Sequence, residues 1–225
     1  MSEHIAVAID GPAGAGKSTM AKRVARELGF LYVDTGAIYR TVGYHMNLMG
    51  IGPKDVDGLR RCLDDVNIQL RYEDGTQRMI LNGADVTELI RSPEMSAMAS
   101  GVSAHGFVRD FLMDLQRDLA KTHDVIMDGR DIGTVVLPDA QVKIFLTASA
   151  EVRAERRYRE LLAKGEKVEY AQIYKDIVQR DLQDSTRAVA PLKCADDAEV
   201  LDCSYLTIDQ CVAEIKQIIK KKASL

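Results

Sequence analysis

The chain has 225 residues, 46% of them hydrophobic, with 34 acidic against 30 basic side chains and a formal charge of −4. That content suits one generous α/β domain, or a domain with an insertion, and excludes disorder as the main state. The acidic balance supplies no global field to draw the protein to nucleic acid or an anionic membrane, so any anion it binds must be gripped locally.

No apolar run approaches the roughly 20 residues of a bilayer span. The opening MSEHIAVAID lacks the basic and apolar regions of a secretion signal, which makes the cytoplasm the expected location. Cys62, Cys194, Cys203 and Cys211 form no CxxC pair and have no histidines at ligand spacing. They read as reduced packing residues rather than a zinc site.

In chain order, HIAVAID is a short apolar strand, and it runs directly into GPAGAGKST, residues Gly11 to Thr19. From Gly11 to Ser18 the stretch fits G-x-x-x-x-G-K-[ST], placed between a strand and the helical MAKRVARELGF. Across Gly11, Pro12, Ala13, Gly14, Ala15 and Gly16 the glycines let successive main-chain N–H groups point into one concavity at a helix N-terminus. Lys17 would reach the outer phosphates, the Ser18 hydroxyl would ligate Mg²⁺, and Thr19 would contact a nearer phosphate. A bare connecting turn would need two or three residues and no lysine. The expected ligand is therefore a purine triphosphate with magnesium.

GFLYVDT is a weaker strand, followed by DTGAIYR with Thr35, Tyr39 and Arg40. Next, VNIQLRYEDGTQRMILNGADVTELI alternates Val66, Ile68, Leu70 and Tyr72 on one face before Asp74-Gly75. Period two around Asp-Gly predicts an antiparallel hairpin inserted into the domain. Ser92 and Pro93 read as the N-cap and first residue of a further helix. MSAMASGVSAHGFVRDFL is a run of small residues suited to close helix packing, and Arg109 there reads, on its own, as a solvated helix charge.

DVIMDG is the next buried strand, and DGRDIGT follows it. Asp128 stands where a carboxylate orients magnesium, or it caps the turn before Gly129. Arg130 and Asp131 would grip a second phosphate and a sugar or base group, or form a local ion pair. After the strand VKIFLTA, a helix from about Ala150 carries Arg153, Arg156 and Arg157 on one face, with a Gly165 hinge behind it. That is either a lid over transferred phosphates or a solvated charged helix. In VEYAQIYKDIVQRDLQDSTRAVAP the apolar stripe of Ile173 and Ile177 continues as Arg180, Asp184 and Arg187. Either the helix enters a cleft, or these are i,i+4 surface ion pairs. AEVLDCS is the fifth strand, and the tail KQIIKKKASL is a basic helix end.

Strand and helix alternate, so the fold class is α/β, an open parallel sheet covered on both faces, with ligands outside the carboxyl ends of its strands. The guanine-reading Asn-Lys-x-Asp is absent from the sequence. Without it a GTPase is disfavoured, and the length leaves no room for the second domain of most motor ATPases.

The elements IDGPAGAGKST, DTGAIYR, DGRDIGTVVLPDA, VKIFLTA and RDLQDSTRAVAPL, in this order, resemble the bacterial cytidylate kinases, a branch of the nucleoside monophosphate kinases. The resemblance covers nearly the whole chain. It implies a five-stranded parallel P-loop kinase core with helices on both faces, a helical lid, and a monophosphate-binding region enlarged by a small antiparallel sheet. The corresponding spans are core 1–40, 105–150 and 188–225, monophosphate-binding region 41–104 and lid 151–187. By the resemblance, Thr35 lies near the CMP phosphate, Ser100, Arg109 and Asp131 read the cytosine edge, and Arg130 and Arg187 clamp phosphate with help from Arg40. Arg180 and Asp184 would contact the pentose, which would explain acceptance of dCMP beside CMP, and Arg153 and Arg157 would belong to the lid. The implied protein is a monomer that transfers the γ-phosphoryl of ATP to CMP or dCMP with Mg²⁺. Two other functions fit the same residues: a kinase for UMP, AMP or a sugar acid, and a regulatory switch that hydrolyses ATP slowly.

Overall fold

The computed structural model describes residues 4–223; residues 1–3 and the last two of the basic tail lie outside the described residues. In chain order the strands are β1 (Ala6–Asp10), β2 (Leu31–Asp34), β3 (Ile68–Glu73), β4 (Thr76–Leu81), β5 (Ala84–Asp85), β6 (Val125–Gly129), β7 (Val142–Thr147) and β8 (Glu199–Asp202). The helices are α1 (Lys17–Leu28), α2 (Thr35–Leu48), α3 (Val56–Asp64), α4 (Pro93–Val102), α5 (Gly106–Thr122), α6 (Ala150–Ala163), α7 (Tyr170–Thr186) and α8 (Ile208–Ala223).

The five apolar runs read as parallel strands form one sheet in the order β2-β6-β1-β7-β8, and every pairing in it is parallel. All residues of β1 and β6 are buried, as a sheet covered on both faces requires. Alternate residues of β1 divide between two cores. Ala6 and Ala8 pack with α2, α4 and α5, whereas Val7 and Ile9 pack with α1 and α8. The register aligns Asp10 with Gly129 and Asp34 with Asp128. Three carboxylates therefore reach the same carboxyl edge of the sheet.

The period-two segment is the expected hairpin: β3 pairs antiparallel with β4, and β5 adds a short third strand. Asp74 (φ 50) and Gly75 (φ 72) make its turn in the left-handed region that Asp and Gly tolerate best. On β3, half-buried and exposed residues alternate. Ser92 caps α4 by accepting from the Met95 N–H at 3.2 Å, with Pro93 as the first helical residue. Helices α6 and α7 share a small cluster of their own, Ala154, Leu161, Ile173 and Ile177, separate from both faces of the sheet.

One glycine is fixed by backbone approach. Gly11, at φ +146, directly follows β1, and a Cβ there would lie 1.9 Å from the Leu146 carbonyl oxygen of β7. Gly11→Ala thus combines a disfavoured dihedral with a main-chain clash. It is expected to lower stability by roughly 3 kcal/mol or more, read as a fall in the denaturant midpoint.

Candidate active site

The glycine-rich loop delivers its lysine earlier than the helical run suggested. Helix α1 begins at Lys17 rather than Met20, behind Gly16 at φ 95, so Lys17 and Ser18 sit in the first turn, where main-chain N–H groups are free to face an anion. The Lys17 ammonium is 5% exposed and donates to the carbonyls of Gly11 at 2.7 Å and Pro12 at 2.8 Å. Burial, with the charge of Arg130 added, holds its pKa well below that of a free lysine, against the opposing pull of Asp128 and Asp10. Gly11, Pro12 and Ala15 are buried behind the loop, while Gly14 is exposed at its tip.

Asp128 lies within β6, and its carboxylate accepts from the Ser18 hydroxyl at 2.8 Å and the Tyr32 hydroxyl at 2.7 Å. The reading of Asp128 as a turn cap is thereby replaced by one that joins strand end to phosphate loop. Burial raises its pKa, and Asp34 adds to the shift while Lys17 opposes it. At the end of β1, Asp10 accepts from the N–H groups of Ile132 at 2.8 Å and Gly133 at 2.7 Å. These open a π-type turn, Ile132–Val136, a rare geometry found mostly at functional sites. Asp10 so fixes the loop that carries Arg130 and Asp131.

Arg130 and Asp131 do not pair with each other. Arg130 Nε donates to Asp184 at 2.9 Å. Asp131 is held between Arg109, in a very close contact, and Arg187 at 3.3 Å. Arg109 is 3% exposed, which corrects its reading as a solvated helix charge. Burial also overturns the surface ion-pair reading of the α7 stripe: Asp184 is buried, and Arg180, Asp184 and Arg187 all line one cleft. The hydroxyl of Ser100 and the Nε of Arg180 are buried without a hydrogen-bond partner. The Thr35 hydroxyl donates to the Asp128 carbonyl at 2.8 Å, and Tyr39 stacks under Arg109 at 5.4 Å. Arg40 donates to Asp34 at 2.9 Å.

The α6 arginines are not equivalent. Arg153 is buried and fully engaged: it donates to Ala148, to Ala13 of the phosphate loop at 3.0 Å, and twice to Asp181 of α7. Arg156 donates to the Cys203 carbonyl at 2.6 Å. Arg157, 38% exposed, pairs only with its own helix neighbour Glu160 at 2.9 Å.

These residues enclose a cleft of about 850 Å³. Its lining takes in Ala13, Gly14, Gly16, Lys17, Ser18 and Thr19 of the phosphate loop together with Thr35, Tyr39, Arg40, Ser100, Arg109, Arg130, Asp131, Arg180, Asp184 and Arg187. Arg153, Arg156 and Arg157 of α6 line it too. Nine cationic side chains line it against five carboxylates, in a protein whose net charge is −4. Sequence reasoning missed Asp10, Asp34, Ser103 and Asp181, all of which orient the expected residues, and Leu206–Ile208, which form part of the wall. Asp10, Asp34 and Asp181 lie within the quoted elements IDGPAGAGKST, DTGAIYR and RDLQDSTRAVAPL without having been singled out there. Ser103 and Leu206–Ile208 carry no such signal.

A phosphate loop at the head of a helix, facing convergent arginines across the carboxyl edge of a parallel sheet, defines a P-loop phosphotransferase. The chain belongs to the cytidylate kinase family, whose model matches residues 7–221. It is 50% identical over 219 residues to the cytidylate kinase of Caldicellulosiruptor saccharolyticus, covering 97% of each chain. It is 48% identical over 216 residues to that of Carboxydothermus hydrogenoformans, covering 96% of this chain and 97% of the relative. Among solved structures, a gluconokinase from Sinorhizobium meliloti 1021 aligns over all of this chain and 97% of its own, with 13% identity and a TM-score of 0.49.

Burial raises the Asp10 pKa from 3.8 to about 6. The folded state then binds this proton more tightly than the unfolded chain does, so the contribution of Asp10 to stability falls as pH rises between those values. By neutral pH the loss is about 3 kcal/mol. Asp10→Asn removes the titration. Urea unfolding at pH 4, 5, 6 and 7 should show the variant gaining on the parent protein as pH rises, whichever is more stable at pH 4.

Proposed function

We propose that the cleft holds ATP and CMP or dCMP end to end and transfers the γ-phosphoryl between them, giving ADP and CDP or dCDP. The carrying observation is the charge of the cleft: burial and mutual repulsion depress the pKa of Lys17, Arg180 and Arg187 together. Groups crowded in this way are stabilised by polyanions.

In the transfer, an oxygen of the acceptor phosphate forms a bond to the γ-phosphorus as the bond to the β,γ-bridging oxygen breaks. That acceptor oxygen is already anionic at neutral pH, so no side chain need remove a proton. The protein's work is to hold two mutually repelling anions in line and offset charge on the transferred group. Lys17 exchanges its contacts with Gly11 and Pro12 for donor phosphates. Arg130, Arg180 and Arg187 hold the acceptor phosphate and pentose with Arg40 and Asp184. Arg157 is the lid arginine free to reach the transferred group, because Arg153 is already tied to the phosphate loop and α7. The donor nucleoside lies along Leu206–Ile208 and Arg156. The Ser18 hydroxyl and Asp128 carboxylate, 2.8 Å apart, are hard oxygen ligands of the kind Mg²⁺ prefers and would hold that ion. When bound, the ion supplies neutralising charge between the phosphates.

The base pocket favours cytosine. The Asp131 carboxylate is an acceptor for the exocyclic amine, and Arg109 and the unpartnered Ser100 hydroxyl are donors for the ring acceptors. Uracil would turn a carbonyl toward Asp131. On this reading, residues 41–104 bind the monophosphate, 151–187 form the lid, and the remainder is the core.

Lys17→Ala is expected to lower kcat about 100-fold or more while changing the KM for CMP less than about threefold, because Lys17 serves the transferred group rather than the acceptor. A coupled assay for ADP should rank CMP and dCMP above UMP and AMP. ATP turnover that does not rise on adding CMP would overturn the kinase reading in favour of a switch.

A further inference from the structure

Strand β2 ends the parallel sheet, with no strand beyond it among the described residues. Its outer main-chain groups need partners, and the antiparallel insertion supplies them with side chains. The Oε1 of Gln77 on β4 accepts from the Asp34 N–H at 2.8 Å, and its Nε2 donates to the Asp34 carbonyl at 3.3 Å. One amide side chain thus satisfies both polar groups of one strand residue, as a neighbouring strand would. Tyr72 stands directly opposite Gln77 in the β3–β4 register, so the two side chains share a face. Its hydroxyl donates to the Tyr32 carbonyl at 3.2 Å.

The residue gripped in this way is not incidental. Asp34 is the N-cap of α2, accepting from the Ala37 N–H at 2.9 Å, and its second oxygen accepts from Arg40 at 2.9 Å. The fit is tight: a Cβ at Gly36 would lie 3.1 Å from the Arg40 guanidinium and 3.2 Å from the Asp34 carboxylate. Gln77 itself is 8% exposed, and burying an amide costs free energy unless its hydrogen bonds are made.

We propose that Gln77 is a positioning residue for acceptor binding, which acts from the insertion through Asp34 on the Arg40 guanidinium. This rests on the reading that Arg40 meets the acceptor phosphate. The insertion then does more than cover a sheet edge: it sets where β2 ends, where α2 begins, and so where one cationic wall of the acceptor pocket stands. Small displacements of such a group are costly for phosphate binding, since a shift of about 1 Å can change rates by orders of magnitude.

Gln77→Met keeps the length and removes both hydrogen bonds. Steady-state kinetics should show the KM for CMP rising about tenfold, with the KM for ATP changing less than about twofold. Arg40→Ala should also raise the KM for CMP, and adding Gln77→Met to it should change that value by less than about twofold, since coupled residues are not additive. A lower melting temperature with unchanged KM for CMP in Gln77→Met would show a purely structural role and overturn the proposal. An undiminished effect of Gln77→Met in the Arg40→Ala background would overturn it too, by excluding Arg40 as the intermediary. If Arg40→Ala alone leaves the KM for CMP unchanged, the fault lies in the placement of Arg40, and the relay falls with it. Should Gln77→Met fail to fold, Gln77→Glu carries the same measurements: it keeps the acceptor toward the Asp34 N–H and sets a carboxylate against the Asp34 carbonyl, and the same direction is expected.

Discussion

Positive charge kept away from water is the constraint from which the rest of the molecule follows. A buried cation is costly unless it is paired and hydrogen-bonded, and this cleft brings several together. Each is held by something specific: Lys17 by two carbonyls of its own loop, Arg109 and Arg187 by Asp131, Arg130 by Asp184, Arg40 by Asp34. The carboxylates fix the guanidinium planes without filling every donor. The Nε of Arg180 stays buried without a partner, a donor that a bound anion would satisfy. Electrostatic preorganisation of this kind leaves little reorganisation for the moment of transfer.

The parallel sheet makes the arrangement possible because its register brings strand ends level. Asp10, Asp34 and Asp128 lie at the ends of adjacent strands, and each carboxylate ties its strand to a segment of the cleft wall. Asp10 seizes the turn after β6, Asp34 caps α2, and Asp128 receives the hydroxyls of Ser18 and Tyr32. Apolar packing on the two faces sets the positions of the strands, and three acidic residues convert those positions into the geometry of the cleft.

Much of this was legible in the sequence, for identifiable reasons. Strands β1 and β6 are uninterrupted buried runs and β7 is nearly so, whereas AEVLDCS, read as another buried strand, forms an edge strand whose residues alternate half-buried and exposed. The insertion has a clean period of two around Asp-Gly, and the phosphate loop is a spacing that little else would demand. The stripe from Ile173 to Arg187 also indicated a helix passing from packing into a cleft, which its burial bears out. What stayed hidden was pairing between distant segments. Arg130 and Asp131 are neighbours in sequence, yet their partners are Asp184, Arg109 and Arg187. Arg109 looked like an ordinary surface charge because its partner lies 22 residues away. Gln77 and Tyr72 carried only strand propensity, since their value comes from the open edge they happen to face.

The separate apolar cluster of α6 and α7 bears on how this part of the protein can move. Ala154, Leu161, Ile173 and Ile177 pack on one another, while polar ties join these helices to the rest of the chain, among them Arg153 to Ala13, Arg156 to Cys203 and Arg130 to Asp184. An outward swing of the pair as a unit would leave this apolar cluster covered. Such a motion has a small heat-capacity change of its own, and its equilibrium would drift little with temperature even where folding stability curves steeply.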